Sequence, residues 1–170
     1  RALHYIDLIN MWGDVPARLT SLNADNMYSG REDRDVIYKQ LIIDLQEAQD
    51  LCAWPNEIDA TKTVERVNKV FVKGLLARVC LQASGYAQRL DGENRLSTDP
   101  ELSKARLYPI ALQACKDVME QEGTYVALKA NFEDIFNNNG ISGDVINAGS
   151  ESLFEIGYSN NPARGRIMYT

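Results

Sequence analysis

Apolar residues recur at helical spacing in four separate segments, and this constrains the fold more than any other feature of the chain. Between Arg31 and Leu51 they form one stripe, Val36, Ile37, Leu41, Ile42, Leu45, Ala48 and Leu51, with Asp44, Glu47 and Asp50 on the other side. Ser29-Gly30-Arg31-Glu32 precedes that stripe and has the pattern of a capping box, which predicts the start of the helix there. An earlier helix carries Leu3, Ile6, Ile9 and Met11–Trp12, and Gly13-Asp14-Val15-Pro16 stops it, because proline forces its predecessor into extended geometry.

A third helix is predicted over 67–84 from Val67, Val70, Phe71, Leu75, Leu76, Val79 and Leu81. Gly74 lies inside it and is expected where another helix packs closely. The fourth, over 104–122, holds Leu107, Tyr108, Ala111, Leu112, Cys115, Val118 and Met119, accepts Pro109 near its first turn, and stops at Gly123. Between the third and fourth, the aperiodic stretch from Gly85 to Pro100 is expected to be a long surface loop.

The pattern changes from Thr124 onward. Tyr125–Leu128 is too short for a helix, Phe132–Phe136 suits one or two helical turns, and Leu153–Tyr158 alternates as a strand does. Turn-rich loops cover 137–149 and 159–165. The expectation is a single mostly α region over 1–170. Helical hairpins of tetratricopeptide-like size occupy 1–123, and a loop-rich part with a short strand occupies 124–170, although the strict repeat signature is not met. The chain enters a helical pattern at Arg1 without an initiator Met, so it is expected to be a fragment of a longer protein.

Several function classes fit poorly. A formal net charge of −6 leaves no basic excess for phosphates, so nucleic acid is not an expected partner. No apolar run approaches the roughly 20 residues that cross a bilayer. Cys52, Cys80 and Cys115 lack any spacing that makes a zinc site, and Cys80 and Cys115 are expected on apolar helix faces as small hydrophobes. No metal and no cofactor are expected. The one histidine, His4, has no neighbouring nucleophile, and no phosphate-loop, nucleophile-elbow or metalloprotease motif occurs. Glu155 sits within an apolar run, where a solvent-facing or paired role is favoured over that of a catalytic acid. The chain is therefore expected not to be an enzyme.

Neutral sugars are held by aromatic faces together with planar amides and guanidinium groups. Such residues gather in the last two loops. Asn138, Asn139, Asn160, Arg164 and Tyr169 are the candidate ligand-binding residues, with ordinary turn chemistry as the alternative for each.

In order along the chain, five segments resemble the SusD/RagB family of outer-membrane nutrient-binding lipoproteins. They are Arg1-Ala2 through Trp12-Gly13-Asp14-Val15-Pro16, Val36-Ile37-Tyr38 with Asp44-Leu45, Asn68-Lys69-Val70 through Leu81, Tyr108 through Gly123, and Phe132–Phe136 with Glu151–Ile156. The resemblance implies a tetratricopeptide-like scaffold that captures an oligosaccharide or other nutrient. It also implies a SusC-like TonB-dependent outer-membrane transporter as partner, and a surface-exposed lipoprotein at the cell outer membrane, carrying a signal and held by a lipid anchor outside this chain. Ligand loops of the family correspond here to 137–149 and 159–169. Family members that stack sugar often carry a Trp after the strand, where this chain has Pro162-Ala163-Arg164-Gly165-Arg166. The alternative function is a tetratricopeptide-like adaptor for protein–protein interaction.

Overall fold

Each periodic segment forms a helix, and the helices account for most of the regular structure. The computed structural model describes residues 1–133 and 148–156. Its helices are α1 (Ala2–Trp12), α2 (Arg34–Leu51), α3 (Lys69–Ala83) and α4 (Lys104–Met119). The protein is thus mostly α. The chain divides into two units, one made of Arg1–Asp50 with Lys73–Lys116, the other of Leu51–Val72 with the residues from Asp117 on.

In the first unit, ties at the helix ends set the directions. Arg1 donates from Nε to Asp44 at 2.6 Å, which places the start of α1 against the far half of α2. At the other end Gly13 closes α1 with φ +74°, and a Cβ there would lie 2.7 Å from the Arg34 guanidinium. Asp14 accepts from the Arg34 backbone N–H at 2.9 Å and from its Nε at 3.0 Å. Helices α1 and α2 therefore run antiparallel. Lys73 Nζ donates to Gln49 at 3.1 Å, and Arg34 Nη2 donates to the Gln88 carbonyl at 2.6 Å, so α3 also runs antiparallel to α2.

The start of α2 differs from the sequence expectation. Ser29 to Glu32 are exposed, and the helix begins at Arg34. Its first turn is capped by Asp33, whose carboxylate accepts from the Asp35 N–H at 2.9 Å, and by Asp14 from across the fold. Two carboxylates at the positive end of a helix satisfy its free donors as a capping box would.

Helix α3 is buried almost all round, with Val72, Leu75, Leu76, Ala77, Val79, Cys80 and Ala83 shielded. Gly74 is half-buried, and the helix continues through it. On α4 the shielded stripe is Leu107, Ala111 and Ala114, while Tyr108, Leu112 and Cys115 are exposed. Cys115 therefore does not sit on the buried face, in contrast to its predicted role as a core hydrophobe. Helix α4 begins at Lys104 as expected, which makes Pro109 its sixth residue. Met11 and Trp12 are 70% and 65% exposed, so only Ala2, Ile6 and Ile9 anchor α1.

The predicted loop between α3 and α4 contains a small antiparallel hairpin, β1 (Ala87–Gln88) and β2 (Asn94–Arg95), with Ala87 opposite Arg95 and Gln88 opposite Asn94. Strands of two residues leave no period in a sequence. A charged side chain docks this hairpin. Arg89 is 2% exposed and donates to Asp35 at 2.5 Å, and Ser97 Oγ donates to the other Asp35 oxygen at 2.5 Å.

Candidate functional site

The second unit is built around Asn68 and the segment 148–156. Asn68 is wholly buried. Its Oδ1 accepts from the Phe71 N–H at 3.0 Å, capping α3, and its Nδ2 donates to the Leu153 carbonyl at 3.1 Å. Phe71 meets Phe154 with ring centroids 4.5 Å apart. Glu155 donates its backbone N–H to Val64 at 3.0 Å. The expected strand does not form within 152–156: the Glu155 N–H on Val64 and the Asn68 amide on the Leu153 carbonyl hold the segment, where a ladder needs a run of backbone bonds. Glu155 has a local partner, the hydroxyl of Ser152, in keeping with a paired role.

Upstream of it, Asn56 donates to the Ala148 carbonyl at 2.7 Å, and Ala148 donates its N–H to Lys62 at 2.9 Å. Gly149 has φ +94°, and a Cβ there would sit 2.7 Å from Asn56 Nδ2. Only glycine meets both demands. Trp54 and Tyr125 stack at 5.5 Å with planes 4° apart, and Lys69 Nζ lies 5.4 Å from the Trp54 ring centre.

Beside this framework is a cavity of about 230 Å3, bounded by the end of α4, the turn after it and residues 150–153. Helix α4 gives way to tight turns that close with Gly123 at φ +79°, whose N–H donates to Val126 at 2.8 Å. That turn carries Val126, Ala127 and Leu128 to one wall, opposite Ser150, Glu151 and Leu153, while Val118, Met119 and Glu122 complete the lining. Lys129 ties the two walls by donating its backbone N–H to the Glu151 carboxylate at 2.9 Å. Among the described residues the lining is apolar apart from Ser150 and the two carboxylates.

The candidate residues Asn138, Asn139, Asn160, Arg164 and Tyr169 all lie outside the described residues, as do most of the two loops that hold them. The helical turns expected over Phe132–Phe136 also lie outside from Asp134 onward. Of the segment between those loops, Leu153 and its neighbours border the cavity. Sequence reasoning did not pick out Glu122, Val126, Leu128 or Glu151. The available signal was Gly123, which closes the turns after α4 and sends the chain back.

Burial disfavours ionisation of Asp14, yet the hydrogen bonds from Arg34 outweigh it and hold the carboxyl below its ordinary 3.8. Burial pushes the Cys80 thiol up to about 11. Among the described residues no group of three His, Cys, Asp or Glu side chains is placed to hold a metal ion, and no helix is long and apolar enough to cross a membrane. His4 is exposed on α1.

No protein-family model matches the chain, and neither a curated protein nor a solved structure matches it.

Proposed function

We propose that the protein is a SusD/RagB-like, surface-exposed outer-membrane lipoprotein. In this reading it captures an oligosaccharide or related nutrient, hands it to a TonB-dependent transporter, and catalyses no reaction. The observation that carries this reading is the pairing of Arg1 with Asp44. These residues belong to two different segments of the family resemblance, and Asp14 of the first segment caps the helix that carries the second. A series of weak motifs gains weight when its members hold one another in place. The antiparallel succession α1, α2, α3 also suits a tetratricopeptide-like scaffold, in which neighbouring helices alternate in direction.

A second reading, a peptide-binding helical adaptor, draws on the exposed apolar stripe Tyr108, Leu112 and Cys115 of α4. The two separate in one experiment. The purified protein is screened by calorimetry against soluble polysaccharides and against peptide pools, with a reducing-end assay alongside. Saturable glycan binding without released reducing ends supports nutrient capture. Tyr169→Ala should then weaken binding by about 1 kcal/mol, as expected for loss of one aromatic contact. Peptide binding that is lost on Leu112→Ser favours the adaptor, and new reducing ends that vanish with a carboxylate substitution overturn the non-catalytic assignment.

A further inference from the structure

The cavity at the end of α4 does not have the chemistry of a sugar site. Among the described residues its walls are Val118, Met119, Val126, Leu128 and Leu153, with no aromatic face and no amide or guanidinium side chain to read hydroxyl groups. Among the described residues its polar side chains are Ser150 and two carboxylates. Glu122 and Glu151 both line it, and neither has a Lys or Arg partner among the described residues. That sets them apart from Asp14, Asp35, Asp44 and Asp99, each of which is paired. Among the described residues the group that orders Glu151 there is the Lys129 backbone N–H, which carries no charge. Helix α4 also ends at this cavity, and the C-terminal end of a helix adds negative potential.

Size narrows the class of ligand. The volume of about 230 Å3, open to solvent beside Met119 and Leu128, admits a small molecule, since an enclosed cavity of about 150 Å3 takes one benzene. We propose that the cavity binds a small organic cation with an apolar body, such as an arylalkylammonium. The hydrocarbon would lie against Leu153, Val118 and Val126, and the ammonium would face Glu122 and Glu151. This site is independent of glycan capture and would stand if that reading fell.

The test titrates the purified chain by calorimetry with three probes of matched shape: 2-phenylethylammonium, 2-phenylethanol and 3-phenylpropionate. The ammonium should bind about tenfold more tightly than the alcohol, the equivalent of one charge-assisted hydrogen bond, and the carboxylate should bind least. In the Glu122→Gln, Glu151→Gln double variant the ammonium should fall to the level of the alcohol. Met119→Ser, at a position 72% exposed and so tolerant of change, should weaken ammonium and alcohol alike. High salt should narrow the preference for the cation. The proposal is overturned if the ammonium fails to bind a protein with a normal melting curve. It is equally overturned if the carboxylate binds as well, or if the preference survives in the double variant.

Discussion

Asn68 and Leu153 are joined by a hydrogen bond from a wholly buried amide to a backbone carbonyl, at 3.1 Å. The same amide caps α3 through the Phe71 N–H, so one side chain fixes both the start of a helix and the wall of the cavity. Asn68→Ala should remove the cap and strand a carbonyl, destabilising the protein by about 1–3 kcal/mol in denaturant unfolding. Asn68→Ser keeps a neutral capping oxygen for Phe71 and loses the donor for Leu153, so it should fall between the parent and Ala. If the Ser variant is as damaged as the Ala variant, the cap is not the larger part.

Arg89 holds the hairpin through Asp35, and its guanidinium is nearly excluded from solvent. Replacing it with Met keeps the volume but leaves Asp35 without its cation, a change that typically costs about 3–5 kcal/mol for a buried pair. The lower end is expected, because Asp35 retains the Ser97 hydroxyl and Asp33 is 39% exposed. A double-mutant cycle with Asp35→Asn should show coupling between the two positions. Additive losses would mean that the hairpin is held by something else.

Acid should weaken the first unit in a particular range. Asp14 has a folded pKa below its ordinary 3.8, because Arg34 outweighs the effect of burial. Asp99 is lowered by the Lys39 ammonium. A lowered carboxyl stabilises the fold at pH values above its unfolded pKa, and that contribution is lost as the pH falls through the folded value. Stability should therefore hold down to about pH 4 and decline below it. Asp14→Asn should reduce stability at neutral pH and flatten that acid limb, as read from melting temperatures across a pH series. An unchanged acid limb in the variant would remove Asp14 as its source.

The four helices were legible because each buries a stripe wide enough to leave a period, and the end of α1 at Gly13 and the turn that closes at Gly123 after α4 were legible because positive φ favours glycine. Less visible was which of two stripes on α4 faces inward. Leu107, Ala111 and Ala114 have the same spacing as Tyr108, Leu112 and Cys115, and the structure shields the first set even though its side chains are smaller. The hairpin escaped notice since its two-residue strands carry no alternation and its anchor is an arginine, a residue type that sequence patterns assign to the surface. Asp14 and Asp33 took over the capping expected of Ser29 because a carboxylate reaching across from the end of α1 is a tertiary feature with no local signature. The cavity is hidden for the same reason, its walls being 22 or more residues apart where Lys129 meets Glu151.

The three cysteines report on this orientation directly. Cys115 is exposed on α4, Cys52 is intermediate, and Cys80 is buried within α3. The reactive species is the thiolate, and raising the Cys80 pKa from 9.0 to about 11 leaves about a hundredfold less of it at any pH below both values. Burial also denies the reagent access. A thiol reagent added to the native protein around pH 8 should therefore label Cys115 first, and Cys115→Ser should abolish that fast phase. Cys80 should react only when α3 opens, so its labelling rate should rise with denaturant in step with unfolding. Stability should divide the two sites in the same way. Cys115→Ser should change it by less than about 0.5 kcal/mol, as surface substitutions usually do, whereas Cys80→Ser buries a hydroxyl and should cost about 1–3 kcal/mol. Fast modification of Cys80 in the native state, followed by mass spectrometry of the labelled peptides, would show that this face of α3 is not shielded.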